Sequence, residues 1–223
     1  MLSIIIPTKN EAACIEKLLR SLQPLRKKGH EVILVDGGSE DDTPAISGAM
    51  VDNLLKTAAG RARQMNAGAA VANGDLLWFL HADTEIPNEA ERLLENAISS
   101  DPLAWGRFDI SLSGSQRMLR VVEVMINFRS RVTGIATGDQ GIFISRDLFF
   151  AVNGYPDQPL MEDIEISKAL RRINKPLCFP EYLVTSSRRW EQHGIIRTIV
   201  KMWGLRAAYF LGTPAERLAR RYD

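Results

Sequence analysis

A chain of 223 residues, 45% hydrophobic and 25% charged, has an ordinary globular composition and enough length for one domain around one main core. Its formal net charge of +1 gives no global field for nucleic acid, so no nucleic-acid partner is expected. No apolar run reaches the ~20 residues that span a bilayer, because Arg120, Glu123, Arg197, Lys201 and Arg206 interrupt the best candidates, and no signal sequence precedes the first strand; a cytoplasmic protein is expected.

Leu2-Ser3-Ile4-Ile5-Ile6 reads as the first strand. The helix after it carries Ile15, Leu18, Leu19 and Leu22 at i, i+3, i+4 and i+7, with Asn10 as its N-cap. Glu31 to Val35 is the second strand, ending in Asp36-Gly37-Gly38-Ser39, and Pro44 suits the first turn of another helix. A weaker strand over Asn53 to Lys56 precedes a helix from about Gly60 to Ala72. Gly74 then opens the apolar strand Leu76 to Leu80, which runs into His81-Ala82-Asp83-Thr84. This alternation predicts a mostly parallel sheet with helices on both faces.

Beyond Pro102 the pattern becomes α+β. Arg107 to Leu112 alternates polar and apolar, placing Phe108, Ile110 and Leu112 on one face of a half-exposed strand. Gln116 to Arg131 carries Met118, Val121, Val122, Met125 and Phe128 at helical spacing, and Gly141 to Ile144 forms a further strand after a Gly-rich turn. Met161-Glu162-Asp163-Ile164-Glu165 opens a helix with apolar Ile164, Ile166, Ala169, Leu170 and Ile173. From Arg188 to Asp223 eight Arg/Lys face three Asp/Glu, a net of +5 that leaves −4 for the rest. Cys14 and Cys178 make neither a disulfide framework nor a zinc spacing and are expected to be buried free thiols.

The chemistry-bearing residues follow strand ends. Pro7-Thr8-Lys9-Asn10-Glu11, Asp36-Gly37-Gly38-Ser39 and His81-Ala82-Asp83 converge at one edge of a parallel sheet, where ligands of open α/β folds bind. Arg61 and Arg63 open the helix before the fourth strand, so two guanidiniums and a helix N-terminus can face the same crevice and a phosphate-bearing ligand. Asp83 either holds a divalent cation that grips a diphosphate or caps the next helix. Asp163 is either a general base or an N-cap. Asp139, in the turn Gly138 to Gly141, either contacts a sugar or simply makes the turn.

IIIPTKNE at Ile4 to Glu11, DGGSEDDT at Asp36 to Thr43, GRARQMNAG at Gly60 to Gly68, GDLLWFLHADT at Gly74 to Thr84 and MEDIE at Met161 to Glu165 stand together in order. On these the chain resembles the family 2 glycosyltransferases, whose nucleotide-diphospho-sugar transferase fold is called GT-A. NFRSR at Asn127 to Arg131, GDQG at Gly138 to Gly141 and SSRRW at Ser186 to Trp190 are similar to a group of short stand-alone bacterial members. The resemblance implies a single GT-A-like α/β domain over 1–223, with a nucleotide-binding half over 1–100, an acceptor-side half over 101–190 and C-terminal helices over 191–223. It implies inverting transfer of a sugar from a nucleotide-sugar donor to an acceptor hydroxyl. Pro7, Thr8, Glu11, Asp36 and Gly37 would line the nucleoside pocket, and Arg61 or Arg63 would hold the diphosphate. Asp83, with His81, would bind Mg2+ or Mn2+. Asp163 would deprotonate the acceptor with Glu162 tuning it, and Asp139, Gln140, Arg189 and Trp190 would lie on the acceptor side.

The chain departs from the family pattern twice. His81 replaces the first carboxylate of the usual Asp-x-Asp, and Gly37 replaces a carboxylate that in relatives helps read the base. Two rival readings follow: a sugar nucleotidyltransferase of similar fold, and a degenerate nucleotide-binding regulatory domain. The helix over Ile195 to Leu211 is expected to pack on the core or against a second copy in a homodimer. The other reading is peripheral contact with the inner membrane surface, suiting a lipid-linked acceptor.

Overall fold

The computed structural model describes residues 1–222, the side chain of Arg189 excepted. In chain order the elements are β1 (Leu2–Thr8), α1 (Ile15–Lys27), β2 (Glu31–Asp36), α2 (Thr43–Ser47), β3 (Asn53–Lys56), α3 (Arg61–Val71), β4 (Leu76–Phe79), α4 (Ala90–Ser100), β5 (Trp105–Leu112), α5 (Arg117–Thr133), β6 (Phe143–Ser145), α6 (Arg146–Ala151), α7 (Glu162–Arg171), β7 (Leu177–Thr185), α8 (Arg188–His193), α9 (Ile195–Phe210) and α10 (Ala215–Tyr222). The seven strands form one sheet in the order β3-β2-β1-β4-β6-β5-β7. Pairing is parallel throughout β3-β2-β1-β4 and between β5 and β7, whereas β6 runs antiparallel to both its neighbours.

Alternation along the parallel strands builds two cores. Ile4, Ile6, Val32, Leu34 and Trp78 face α1 and α4 through Leu18, Leu22 and Leu94. Ile5, Ile33, Val35, Leu77 and Phe79 face the opposite layer, with Met65 and Ala69 of α3, Phe149 of α6 and Leu170 of α7. Gly68 permits this second packing: a Cβ there would stand 2.5 Å from Ile5 Cγ2, so any larger residue would lift α3 off the sheet.

The direction of β6 decides which turn reaches the edge where β1, β2 and β4 end. Because it is antiparallel, its preceding turn, Gly138 to Gln140, lies at the edge where β1, β2 and β4 end. β7 runs with β5, so its C-terminal end delivers Ser186, Ser187 and Arg188 toward the same region. One sheet edge therefore collects five segments that are remote in sequence.

Several sequence expectations need correction. Asn10 does not cap α1: it has φ 56°, its side-chain carbonyl accepts from Glu40 N–H, and the N-cap position is Cys14. The strand from Arg107 is not half-exposed, since Arg107 and Asp109 are buried as an ion pair that Arg131 joins at 2.6 Å. The apolar stripe of α5 is only partly its core face: Met118, Val121 and Phe128 are exposed, whereas Val122 is buried together with Glu123 and Asn127. The reason lies in β5. Strand β6 pairs only with Trp105 and Gly106, leaving the distal backbone of β5 without a strand on that side. Asn127 replaces it, donating to Ile110 O at 3.0 Å and accepting from Ile110 N–H at 2.9 Å, while Glu123 accepts from Leu112 N–H. The cysteines are free but only partly buried, and Ile173 is exposed. Helix α9 buries Ile195, Thr198 and Leu205, yet Ile196, Val200, Trp203 and Phe210 stay exposed, so core packing accounts for one side of it only. Among the described residues, no helix is long and apolar enough to cross a membrane.

Candidate active site

The ends of β1 and β2 form a rigid floor. Gly37 N–H donates to Thr8 O at 2.8 Å, and the buried Gln64 side chain donates to both Thr8 O and Val35 O at 2.8 Å, joining the two strands just past their last ladder bonds. Asp36 is fully buried, its carboxylate accepting from Gly38 N–H at 3.2 Å, Ser39 N–H at 3.1 Å and the Ser39 hydroxyl. Thr8 is also buried and donates to Val35 O. Both residues shape the loops at this end from below the surface. Glu11 is half-exposed above them; its Oε2 accepts from Cys14 Sγ at 3.1 Å and lies 3.9 Å from Arg188 Nη2. Burial and the Glu11 carboxylate push the Cys14 thiol up to about 12, so it stays protonated.

Next to this floor, a narrow cleft brings together Pro7, Arg61, His81, Gly138, Glu162 and Asp163. Met161, the N-cap of α7, has φ 66°, a strained left-handed conformation that turns the chain so that Glu162 and Asp163 occupy the first helical turn. Asp163 is therefore inside the helix and not its cap. Its Oδ1 accepts from Ile164 N–H at 2.8 Å and its Oδ2 from Gly138 N–H at 3.4 Å, a bond linking α7 to the turn before β6. Burial, which the Arg206 guanidinium and the Ile164 N–H only partly offset, raises Asp163 above the ordinary carboxylate range. Burial and then Asp163 itself raise Glu162. Arg61 lines the cleft with its side chain exposed to solvent. Desolvation in the cleft disfavours its charge, but Glu162, Asp139 and Asp163 outweigh that and hold it protonated.

His81 and Asp83 approach from β4. His81 Nδ1 stands 3.2 Å from Asp139 Oδ1, while its Nε2 is buried with no hydrogen-bond partner. Asp83 Oδ2 lies 3.9 Å from Arg188 Nη2. The donor types suit a divalent cation, an unused imidazole Nε2 on His81 and a hard carboxylate on Asp83, but the two line separate pockets, His81 that of Arg61 and Asp163, and Asp83 that of Cys14, Lys17 and Arg188. Among the described residues, His30, Glu91 and Glu95 are the one triad converging within metal-binding distance, and they lie at the opposite end of the strands. That triad is structural, since His30 Nδ1 accepts from Leu2 N–H at 3.1 Å and its Nε2 faces Glu91 at 3.1 Å.

Two expected residues are placed elsewhere. Arg63 is committed to the exposed Asp157 at 2.8 Å, so Arg61 alone of the two guanidiniums faces the carboxylates of the cleft. Gln140 is fully buried, accepting from Thr137 N–H and donating to Ser130 Oγ at 3.0 Å, which makes it the brace of the turn and removes it from the acceptor surface. Trp190 packs beside Leu112, Leu119, Val122 and Ile195. The Arg189 side chain lies outside the described residues. Gln64, Arg129 and Arg206 were not singled out by sequence reasoning. Only Arg129 carried a signal, as part of the NFRSR segment.

Comparison with known proteins bears on this geometry. Residues 3–155 match the family model described as Glycosyl transferase family 2. The chain is 39% identical over 93 residues to a PGL/p-HBAD biosynthesis glycosyltransferase of Mycobacterium bovis, a match covering 39% of this chain and 36% of that protein. Among solved structures, S. aureus TarS 1-349 in complex with UDP-GlcNAc superposes with a TM-score of 0.68 at 20% identity, covering 83% of this chain and 58% of that one. The mannosyltransferase PcManGT from Pyrobaculum calidifontis, in complex with GDP-Man and Mn2+, superposes with a TM-score of 0.63 at 24% identity, covering 82% and 56%. At such identities the likeness establishes the fold, a GT-A glycosyltransferase sheet flanked by helices. The match spans little more than a third of the curated relative. The family model itself covers well over half of the chain, which therefore belongs to glycosyl transferase family 2.

Proposed function

We propose that the chain transfers a sugar from a nucleoside diphosphate donor to an acceptor hydroxyl, with inversion at the anomeric carbon and with a divalent cation. The observation that carries this reading is the cleft in which Asp163, raised above the ordinary carboxylate range by burial, lies with Glu162, Arg61 and His81 at the edge where β1, β2 and β4 end. A carboxylate tuned upward is a better proton acceptor than one fixed near its solution value.

In this reading Asp163 takes the proton of the acceptor hydroxyl as the oxygen bonds to the anomeric carbon, and the bond to the nucleoside diphosphate breaks on the opposite face. Inversion follows from that in-line geometry. Glu162, beside it, disfavours ionisation of both carboxylates and so raises the basicity of the pair. Arg61 offers a fixed cation that needs no reorganisation as charge develops on the leaving group. Asp83 and His81 would hold Mg2+ or Mn2+, which when bound neutralises diphosphate charge. The ligands named for TarS and PcManGT, UDP-GlcNAc and GDP-Man with Mn2+, support uridine and guanosine donors as the first to test.

The test is a thermal-shift screen of UDP- and GDP-sugars with and without Mn2+ or Mg2+, beside Asp83→Ala, followed by donor turnover. Metal-dependent stabilisation by one nucleotide, lost in Asp83→Ala, is expected. A folded protein stabilised by no nucleotide at millimolar concentration overturns the reading. Stabilisation without turnover of any donor returns it to a binding domain.

A further inference from the structure

We infer that the acceptor is an anionic amphiphile, seated in the groove between α5 and α9 with its acidic group on Arg129 and Arg206 and its apolar body on Val122, Ile126, Ile199 and Trp203. This rests on the transfer reading above, which it deepens by naming the class of acceptor.

The groove begins at the reaction cleft. A cavity of about 330 Å³ is walled by apolar side chains of α5 and α9 and closed by Trp190, and its inner end is Thr137, Asp139, Arg129 and Arg206. Asp139 is the residue that stands 3.2 Å from His81, so the inner end of the cavity is the outer wall of the cleft. A second cavity of about 480 Å³ shares Arg129, Trp203 and Arg206 with the first and adds Lys168, Arg171 and Phe210. The two make one groove with four cationic side chains and, in its lining, a single carboxylate, Asp139.

The two guanidiniums carry the argument for an anion. Arg129 Nη2 and Arg206 Nε are both buried without a hydrogen-bond partner, although Arg129 Nη1 donates to Ile135 O at 3.2 Å. An unmet N–H of a charged group out of contact with water is costly, and a family of such donors at the end of a groove asks for an oxygen acceptor from a ligand. Burial and the neighbouring Arg206 lower Arg129 to about 10, which the carboxylates of Asp163 and Asp139 offset only in part. A flat apolar partner would leave these donors unmet.

The apolar side is equally specific. Phe128 on α5 and Trp203 and Phe210 on α9 line the groove and are each at least 60% exposed, an apolar rim that packing within the chain does not cover. An anion with an apolar body satisfies the inner donors and covers the rim together; inorganic phosphate or an uncharged sugar would do only one of these.

The groove reports its own occupancy. Trp78 and Trp105 are fully buried in the sheet cores, whereas Trp190 and Trp203 line the groove, so ligand-induced fluorescence change comes from the latter pair. Decyl phosphate and decanoate, each kept below its micelle concentration, are titrated beside decyl maltoside and inorganic phosphate. Saturable quenching by one of the two anionic amphiphiles, with neither control binding, is expected, and the stronger of the two names the acidic group as phosphate or carboxylate. Arg206→Leu and Ile199→Glu, checked for unchanged melting and unchanged nucleotide stabilisation, are each expected to weaken it at least tenfold. Equal binding of decyl maltoside, undiminished binding by Arg206→Leu, or association only with anionic vesicles and not with monomeric amphiphile overturns the inference. Because nucleotide stabilisation is read in the same samples, a groove that binds no amphiphile while the donor pocket binds normally fails alone, and the transfer reading stands.

Discussion

Gly138 faces the nitrogen of His81 that has no hydrogen-bond partner: a Cβ on Gly138 would stand 2.7 Å from Nε2 and 3.1 Å from Cε1. Gly138 has an ordinary negative-φ backbone, so alanine meets no conformational barrier and the collision is with His81 alone. Gly138→Ala is therefore expected to cost less than about 1 kcal/mol of stability. It should abolish Mn2+-dependent stabilisation by the nucleotide while leaving any metal-independent nucleotide binding intact. Calorimetric titration of Mn2+ with nucleotide present checks this, and full metal-dependent binding in Gly138→Ala would remove Nε2 from the ligand set.

Asp163→Asn separates catalysis from stability. Burial raises the folded-state pKa of Asp163 above its unfolded value, so the folded protein binds that proton more readily. The stabilising contribution is complete below the unfolded pKa and is lost as pH rises through the folded one, which makes ionised Asp163 a liability at neutral pH. Asparagine removes that liability. The variant is expected to lose ~10²–10⁴-fold in transfer rate and to melt higher than the wild type at about pH 8, with the difference shrinking toward about pH 4. In the wild type, kcat/KM should fall with acid through a pKa above the ordinary carboxylate range. A variant that melts lower at every pH would show that Asp163 is held by its bonds to Gly138 and Ile164 more than it is penalised by burial.

The parallel half of this fold was legible because its period and its turns agree. Ile4 and Ile6 against Ile5, Asp36-Gly37-Gly38-Ser39 after β2 and His81-Ala82-Asp83 after β4 each announce a strand and the loop it delivers, and parallel pairing then forces those loops to one edge. What the sequence did not carry was the direction of β6. Three residues cannot display their pairing sense, and only the antiparallel arrangement lays Gly138 against His81. Gln64 was equally silent, because its task is to bond the carbonyls of Thr8 and Val35, which no local pattern marks. The face of α5 was misread in part for a physical reason: Asn127 and Glu123 turn inward to satisfy the backbone of β5, so that Val122 stays buried while Met118, Val121 and Phe128, which periodicity also assigns to the core, are left exposed.

Asp109→Ala tests that buried polar layer. Arg107 is 1% exposed and its guanidinium bonds to Asp109 and, at 3.1 Å, to Asn127 O. Removing the carboxylate leaves a buried cation uncompensated, for which a loss of about 3–5 kcal/mol is expected. The paired change Arg107→Met with Asp109→Leu removes both charges and should recover most of it. Urea unfolding of the single and double variants measures the difference. Equal loss in both would place the stability in packing and not in the ion pair.

Arg188 stands 3.9 Å from both Glu11 Oε2 and Asp83 Oδ2, between the nucleoside-side loop and the proposed cation ligand. All three side chains are partly exposed, so Arg188→Gln should change stability by less than about 1 kcal/mol. Its effect on ligands should split by sign. A guanidinium beside Asp83 would compete with a divalent cation for that carboxylate, since the two like charges repel. Without nucleotide, Mn2+ is therefore expected to bind more tightly to Arg188→Gln than to the wild type. With a nucleoside diphosphate present the same guanidinium gains a second anionic partner, and its loss should weaken the ternary complex, because glutamine offers the phosphate no charge. Titration of Mn2+ alone and then of nucleotide at saturating Mn2+ reads the two affinities separately. Weakening of both would make Arg188 a mere organiser of Glu11 and Asp83, whereas opposite signs identify it as a cation that leaves the metal ligand for the diphosphate when the donor binds.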